Sequence, residues 1–499
     1  MGSRIFSSIR AINTFWVFLL LIPLAFVDCA KQKKTPAKVL ARVGEKFVTL
    51  NEFTLRTNLT PRPPYCRNNQ LKDKKIALNS FIAEKILAYY GEQDPNISQY
   101  KKLNNFLQGI KEQTMRFELY RKHALEKIQL REEDIAPYTG NFRRNYEVEL
   151  LSIPLDSLGQ TYFKLPITTL PQKLFEELTQ NDKVPVNKSK IIVSWKDALR
   201  LELFNRLYLE EVNPGFVIGP VYLDNGEVII VKILSWKTNV VFSEIEKAAF
   251  QKTVMSMLKS ARAHQLFTDY IARVMDGKVL QFNPEGIKRF VNTLGPIYFK
   301  NRTLLTPKYL TDPINQLKWG EMIDSLRTET PDPLGYTVCL IDGRQWTARE
   351  LIELMKTHPL VFRQRAFPRK KFGEQLKLAI VDLIRDYYLT REAYKEGLDS
   401  SPNVKETVRQ WRDYFLAVME KEKLFRENPL QKNRYGLIPD SLLLSLQRRA
   451  NIKVQIDTTT FHLVELNNIQ TFAIQKNAPY PVAVPGFPLV TDSDTLFVK

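Results

Sequence analysis

Apolar side chains recur at helical spacing in two distant stretches of the chain. The first carries Ile76, Leu78, Phe81, Ile82, Ile86 and Leu87; the second carries Leu376, Ala379, Ile380, Leu383, Ile384 and Leu389. That spacing predicts an amphipathic helix in each. About twenty residues upstream of each helix stands the same local pattern: a short apolar strand, a glycine-containing turn and Thr-x-x-Glu. Ala41 to Phe53 is echoed in this way by Cys339 to Leu351. Thr49 with Glu52, and Thr347 with Glu350, fit a capping box, in which hydroxyl and carboxylate each take an orphan backbone N–H at a helix start. Val48 against Phe53, and Trp346 against Leu351, suit a hydrophobic staple over that turn. The second helix closes at Gly397, a glycine stop signal. One unit is therefore expected twice.

Between the two copies the period changes. Tyr146 to Ile153 alternates as a strand does, and Val221 and Leu223 alternate before an Asp224-Asn225-Gly226 corner. Asn-Gly between apolar runs is a strong hairpin signal, because both residues tolerate positive φ. Val228 to Leu234 is nearly continuous aliphatic, as in a strand buried on both faces. Phe242 to Met275 reads as a long helix with Ile245, Ala249, Met257, Leu258, Leu266 and Ile271 on one stripe and basic residues elsewhere. After residue 430 only a strand at Ile452 to Ile456 and a proline-rich extended segment (Pro479, Pro481, Pro485, Pro488) are legible.

With 499 residues the chain exceeds what one core serves, and its apolar fraction of 44% excludes a disordered protein. The net charge of +19 raises nucleic acid or an anionic surface as a partner. The basic residues are dispersed and mixed with acids, however. Their densest cluster, Arg363, Arg365, Arg369, Lys370 and Lys371 around Pro368, reads as a solvated face, so no nucleic-acid partner is expected.

The N-terminus has the layout of an export signal. Arg4 and Arg10 precede an apolar run from Ile12 to Val27, interrupted by Pro23 and shorter than the ~20 residues a membrane span needs. Cys29 follows, then a polar tether. The arrangement resembles a bacterial lipoprotein leader and makes Cys29 the candidate for lipidation, although Asp28 and Phe26 depart from that pattern. Lipidation, simple cleavage and an uncleaved anchor stay open; all three place the body of the chain outside the cytoplasm. The remaining cysteines, Cys66 and Cys339, imply no disulfide framework and read as unpaired thiols.

The repeated strand–turn–capping unit, the helix after it, and the later run Ile128 to Tyr138 resemble the N-terminal helical region of SurA- and PpiD-like extracytoplasmic folding factors. Residues 213 to 236, with Pro-Gly, Gly-Pro-Val, Asn-Gly and an aliphatic run in order, resemble the closing hairpin of a parvulin (PpiC-type) prolyl isomerase domain. The resemblance spans about 38 to 275, with a partial second copy at about 335 to 425. It implies a predominantly helical α+β protein in which two SurA-type helical modules flank a small parvulin-like α/β domain. The expected boundaries are a signal peptide at 1–29, a helical module at 30–142, a degenerate parvulin-like domain at 143–240, a long helix and connecting segment at 241–330, a second helical module at 331–430, and a terminal strand and tail at 431–499.

Parvulin domains resemble one another in keeping a histidine on the first strand and another on the last. This chain has four histidines, His123, His264, His358 and His462, and none between residues 124 and 263. Glu149 or Leu150 holds the first place and Val228 or Ile229 the second. A glycine-free stretch from Pro171 to Ser194 replaces the glycine-rich segment of the family. Isomerisation must lower a barrier of ~18–20 kcal/mol, and a groove without polar groups does little of that. No catalytic residue is therefore assigned, and no cofactor or metal is expected, since phosphate-loop, paired-cysteine, H-E-x-x-H and G-x-S-x-G motifs are all missing.

The resemblance implies a chaperone of the periplasm or cell envelope, held to the outer membrane if Cys29 is lipidated. Its partners would be unfolded or nascent exported polypeptides, outer-membrane proteins among them. Leu150, Val228 and Ile230 are the candidates for a client groove, and Met255, Met257 and Met275 are adaptable contacts or core fillers. An active peptidyl-prolyl cis-trans isomerase and a structural envelope lipoprotein subunit are the competing readings.

Overall fold

The computed structural model describes residues 38–95, 101–154, 171–180, 186–197, 201–222, 227–239, 243–300, 334–358, 360–363, 367–427, 436–467 and 479–498. The leader with Cys29, the Asp224-Asn225-Gly226 corner, Arg365 and the segment 301–333 lie outside the described residues. The described chain is predominantly helical with small antiparallel sheets, an α+β architecture.

The first unit begins with the hairpin β1 (Val39–Val43) and β2 (Lys46–Thr49), then α1 (Leu50–Leu59) and α2 (Leu71–Glu92). The second has β8 (Thr337–Ile341), β9 (Arg344–Thr347), α9 (Ala348–Thr357) and α10 (Phe372–Lys395). Their ladders coincide position for position. Val39↔Thr49, Ala41↔Val48 and Val43↔Lys46 in one match Thr337↔Thr347, Cys339↔Trp346 and Ile341↔Arg344 in the other, and the pairing is interrupted at the same step. Thr49 and Thr347 each accept the N–H of the residue three positions on. The second start is a full capping box. The first is half of one: no return bond from Glu52 to the cap forms, because its carboxylate is drawn to Arg56, Lys85 and Arg409.

Each sheet gains a third strand from a remote segment. β10 (Val454–Ile456) pairs with β1, and β7 (Leu280–Phe282) pairs with β8, in matching register. Asp457 and Asn283, just after these strands, cap the helices α13 (Thr458–His462) and α8 (Pro284–Lys300). The C-terminal region is thus part of the first unit. α12 (Asp440–Arg449), unexpected from the sequence, buries Leu443 and Leu446 against Leu40, Phe81 and Ile86, and Val490 and Val498 of the extended tail join the same core.

The third helices of the two halves are exchanged. α3 (Lys101–His123), which follows α2, packs on α10, whereas α11 (Pro402–Glu427), which follows α10, packs on α2. The two meet through Leu103 and Ile110 against Trp411 and Phe415, with Phe106 edge-on to both aromatics. Two glycines permit the closest approaches. A Cβ on Gly91 would stand 2.7 Å from the Leu416 carbonyl oxygen, and one on Gly109 would stand 2.1 Å from that of Thr357.

Between the halves sits a four-stranded antiparallel sheet in the order β4 (Asn187–Val193), β3 (Arg144–Pro154), β6 (Glu227–Thr238), β5 (Val217–Tyr222). β6 is covered on both faces, as its aliphatic run predicts. Ile229, Val231 and Ile233 meet α6 (Leu201–Tyr208), while Ile230 meets α5 (Pro171–Gln180). The short helix α4 (Glu132–Ile135), inside the segment expected to close the helical module, sends Ile135 into this domain's core, and Tyr138 donates to Asn205.

The long helix α7 (Glu244–Met275) joins domain to frame: Phe250 and Val254 enter the sheet domain's core, and Ala263, Phe267 and Tyr270 enter the helical core beside α3 and α10. The stripe expected from aliphatic spacing is buried only in part: Met257 and Leu258 pack on the sheet domain's core and Ile271 on the helical core, while Ala249 and Leu266 are exposed. Ile245 is 81% exposed, because the aromatic side chains of α7, with far more surface to hide, set its rotation.

Candidate functional site

The three residues expected to line one groove do not converge. Strand alternation puts Leu150 on the face that meets α6 and α7, and Ile230 with Val228 on the face that meets α5. Val228 and Ile230 are fully buried, opposite Ile153 and Leu151 of β3, and Leu150 is half-buried. These are packing positions. The parity of a strand separates residues that look adjacent in sequence.

At the first of the two expected histidine places, Glu149 faces Lys188 at 3.0 Å across the β3–β4 ladder. At the second, Val228 and Ile229 are buried. The actual histidines lie elsewhere. His123 Nε2 is 2.8 Å from Glu396 and the ring stacks on Tyr270, so it ties α3 to the end of α10. His358 Nε2 lies 2.8 Å from Glu112 Oε2, at the point where α9 abuts α3. His264 and His462 are exposed. Among the described residues no three His, Cys, Asp or Glu side chains are arranged to hold a metal ion. The two thiols are free and buried, and burial pushes each up to about 12, which keeps them protonated and unreactive.

Sequence reasoning missed the strongest electrostatic feature, a buried charge network joining α1, α2 and α11. Arg56 forks onto Glu84 at 2.7 and 2.6 Å and donates to the Gly486 carbonyl at 2.7 Å. Lys85 reaches Glu52 at 2.7 Å and Asp413 at 3.0 Å; Lys46 reaches Asp413 at 2.9 Å. Arg409 closes the ring onto Glu52, Glu406 and Asp413. Burial works to lower the Lys85 and Arg56 values, but the surrounding carboxylates outweigh it and hold both cations above their ordinary values. With signs balanced and donors matched, the network is a specific latch between the first and last parts of the chain.

The basic cluster near Pro368 is exposed at Arg363, Arg369 and Lys370, a solvated face in which Arg363 forks onto Asp382 at 2.9 Å for both bonds and Arg369 lies over the Phe299 ring.

Exposed apolar side chains are scattered over the molecule, among them Leu463, Val361 and Val279, and a group of them lies at the margins of the four-stranded sheet. Ile191 and Ile192 project from edge strand β4, Tyr222 lies on edge strand β5 and Phe216 just before it, all exposed. β4 also carries Lys188 and Lys190, exposed. Met255 is exposed on α7, while Met257 and Met275 are partly buried against cores. Neighbouring positions on a strand point to opposite faces, so Ile191 and Ile192 present an apolar side chain on each side of one edge. An edge strand with such side chains can take up another extended chain by strand pairing. No helix among the described residues is long and apolar enough to cross a membrane. Comparison with protein-family models, curated proteins and solved structures finds no match to this chain.

Proposed function

We propose that this protein is an extracytoplasmic folding factor of the SurA/PpiD-like kind, a chaperone that holds unfolded exported polypeptides, outer-membrane proteins among them, without turning over prolyl bonds. The observation that carries the reading is the exposed apolar side chains on both margins of a sheet domain whose central strands are packed on both faces. A holdase needs apolar contact with extended chains and a frame that does not collapse onto it. The exchanged helices supply that frame, and α7 ties the sheet domain to it. The adjacency of β3 and β6, the strands where the family's histidines would stand, supports the parvulin-like ancestry. The apolar side chains at the second of those places, and the Glu149–Lys188 pair at the first, support the loss of turnover. The chain would work in the periplasm or envelope, with Cys29 the candidate lipid anchor.

The test sets suppression of aggregation of a urea-unfolded outer-membrane protein beside a protease-coupled prolyl isomerisation assay. The expected result is suppression at near-equimolar ratio, weakened by Ile192→Asp and Tyr222→Asp, with isomerisation at the spontaneous rate. Acceleration of isomerisation would overturn the loss of turnover. Absence of suppression, together with one stoichiometric envelope partner, would favour a structural subunit.

A further inference from the structure

The two halves carry the same trio of positions, and among the described residues only one copy lies under a crossing helix. By ladder register and cap position, Lys46, Thr49 and Glu52 of the first half correspond to Arg344, Thr347 and Glu350 of the second. In the first half α11 lies across the trio. Asp413 takes Lys46 at 2.9 Å, Glu406 takes the Thr49 hydroxyl at 3.3 Å, and Arg409 donates to Glu52 at 2.8 Å while stacking over Phe47 at 4.1 Å. Glu406, Arg409 and Asp413 are spaced by three and four residues, so they share one face of α11.

In the second half α10 touches the trio through Tyr387, but no described helix lies across it as α11 lies across the first. Arg344 and Glu350 face each other at 3.0 Å with their side chains 47% and 40% exposed. The Arg344 guanidinium rests over Trp346 at 4.4 Å and donates to the Tyr387 hydroxyl at 3.2 Å, which gives the surface an aromatic floor. α3, the helix exchanged into this half, docks instead at the far end of α9, through Gly109 on Thr357 and Glu112 on His358.

We propose that the Arg344–Thr347–Glu350 surface is a docking site for a helix of a partner polypeptide that presents an arginine with an acidic residue three positions before it and another four after. The molecule contains its own example of the fit. The partner's arginine meets Glu350, its later acid meets Arg344 and its earlier acid meets the Thr347 hydroxyl. Glu350 also accepts the Thr347 N–H at 2.9 Å and the Thr347 hydroxyl at 3.0 Å, so docking keeps the capping N–H bond and exchanges the hydroxyl contact and the exposed Arg344 pair, the latter at little cost. The chain's own α11 cannot serve, since Asp413 is buried in the first half, and the proposed occupant is a helix of another protein. This inference is independent of the chaperone reading.

The test uses the full-length protein and a labelled peptide copying residues 402–418, stapled across the exposed positions Lys405 and Arg412 so that its helicity does not depend on docking. Fluorescence anisotropy is expected to show saturable binding. Arg344→Glu in the protein should weaken it at least tenfold. Glu350→Gln, which keeps an acceptor for the Thr347 N–H, should weaken it at least fivefold. A peptide carrying Asp413→Lys should regain affinity for the Arg344→Glu protein. No saturable binding overturns the proposal. So does binding that both protein variants leave within twofold, which would mean that the peptide displaces α11 from the first half.

Discussion

Lys85 on α2 and Asp413 on α11 meet at 3.0 Å with both side chains buried, and Glu52 lies 2.7 Å from the same ammonium. Removing one member of such a set leaves its partners charged and buried. Lys85→Met should therefore lower stability by about 3–5 kcal/mol. Lys196→Met, which breaks an exposed, solvent-screened pair with Glu246, should leave stability nearly unchanged. Urea midpoints of the two variants give the comparison, and equal midpoints would refute the latch.

The same network fixes an acid limit. Burial works to raise the Asp413 carboxyl, but Lys85, Lys46 and Arg409 outweigh it and draw it down to about 2 from an ordinary 3.8. A folded-state value below the unfolded one means that the contribution is present above pH ~4. It is lost as pH falls from there through about 2, on the order of 2 kcal/mol in all. Urea midpoints measured from pH 6 down to 2 should fall across that window, and Asp413→Asn should flatten the fall while lowering the midpoint at neutral pH.

Helix contact through glycine gives a third expectation. Gly109 lets α3 lie against the Thr357 carbonyl, and a Cβ there would stand at 2.1 Å. The obstructing atom is backbone and cannot swing aside. Gly109→Ala should push α3 off the end of α9 and lengthen the Glu112–His358 contact, despite alanine's better helix propensity. Hydrogen exchange in residues 101–123 and 348–358 should quicken, while the sheet domain is unchanged.

Local signals were legible in the sequence and distant ones were not. The strand–turn–Thr-x-x-Glu unit could be read twice because cap and hairpin chemistry acts within a few residues, and Gly397 does adopt positive φ just after α10. The exchange of α3 and α11 and the closure of the first unit by β10 depend on residues hundreds of positions apart, and either arrangement suits the same amphipathic pattern. Glu52, Arg56, Glu84 and Lys85 look like a solvated helix face until α11 covers them. The groove candidates failed for another reason: an aliphatic run buried on both faces does not say which member faces which way, so Leu150 and Ile230 were grouped across a sheet that separates them.

The two free cysteines turn closure of the first unit into something measurable. Cys66 lies in the core shared by β1, α2 and the C-terminal tail, whereas Cys339 lies in the core of the second unit. Both are buried, and both hold their protons far above neutral pH. Neither should react with an aromatic disulfide reagent in the native protein at pH 8. Deleting residues 436–499 removes Ile438, Leu443, Leu446, Phe461 and Val490 from the first core and frees the outer edge of β1. Each such side chain contributes about 1.5–3 kcal/mol when fully buried, in sum comparable to a typical domain's whole stability. Cys66 should then react at close to the rate of an unfolded chain. Cys339 should stay protected, because β7, α8 and α10 close the second core without the tail. If both thiols react together, the halves unfold as one unit; if neither does, the tail is not what closes the first.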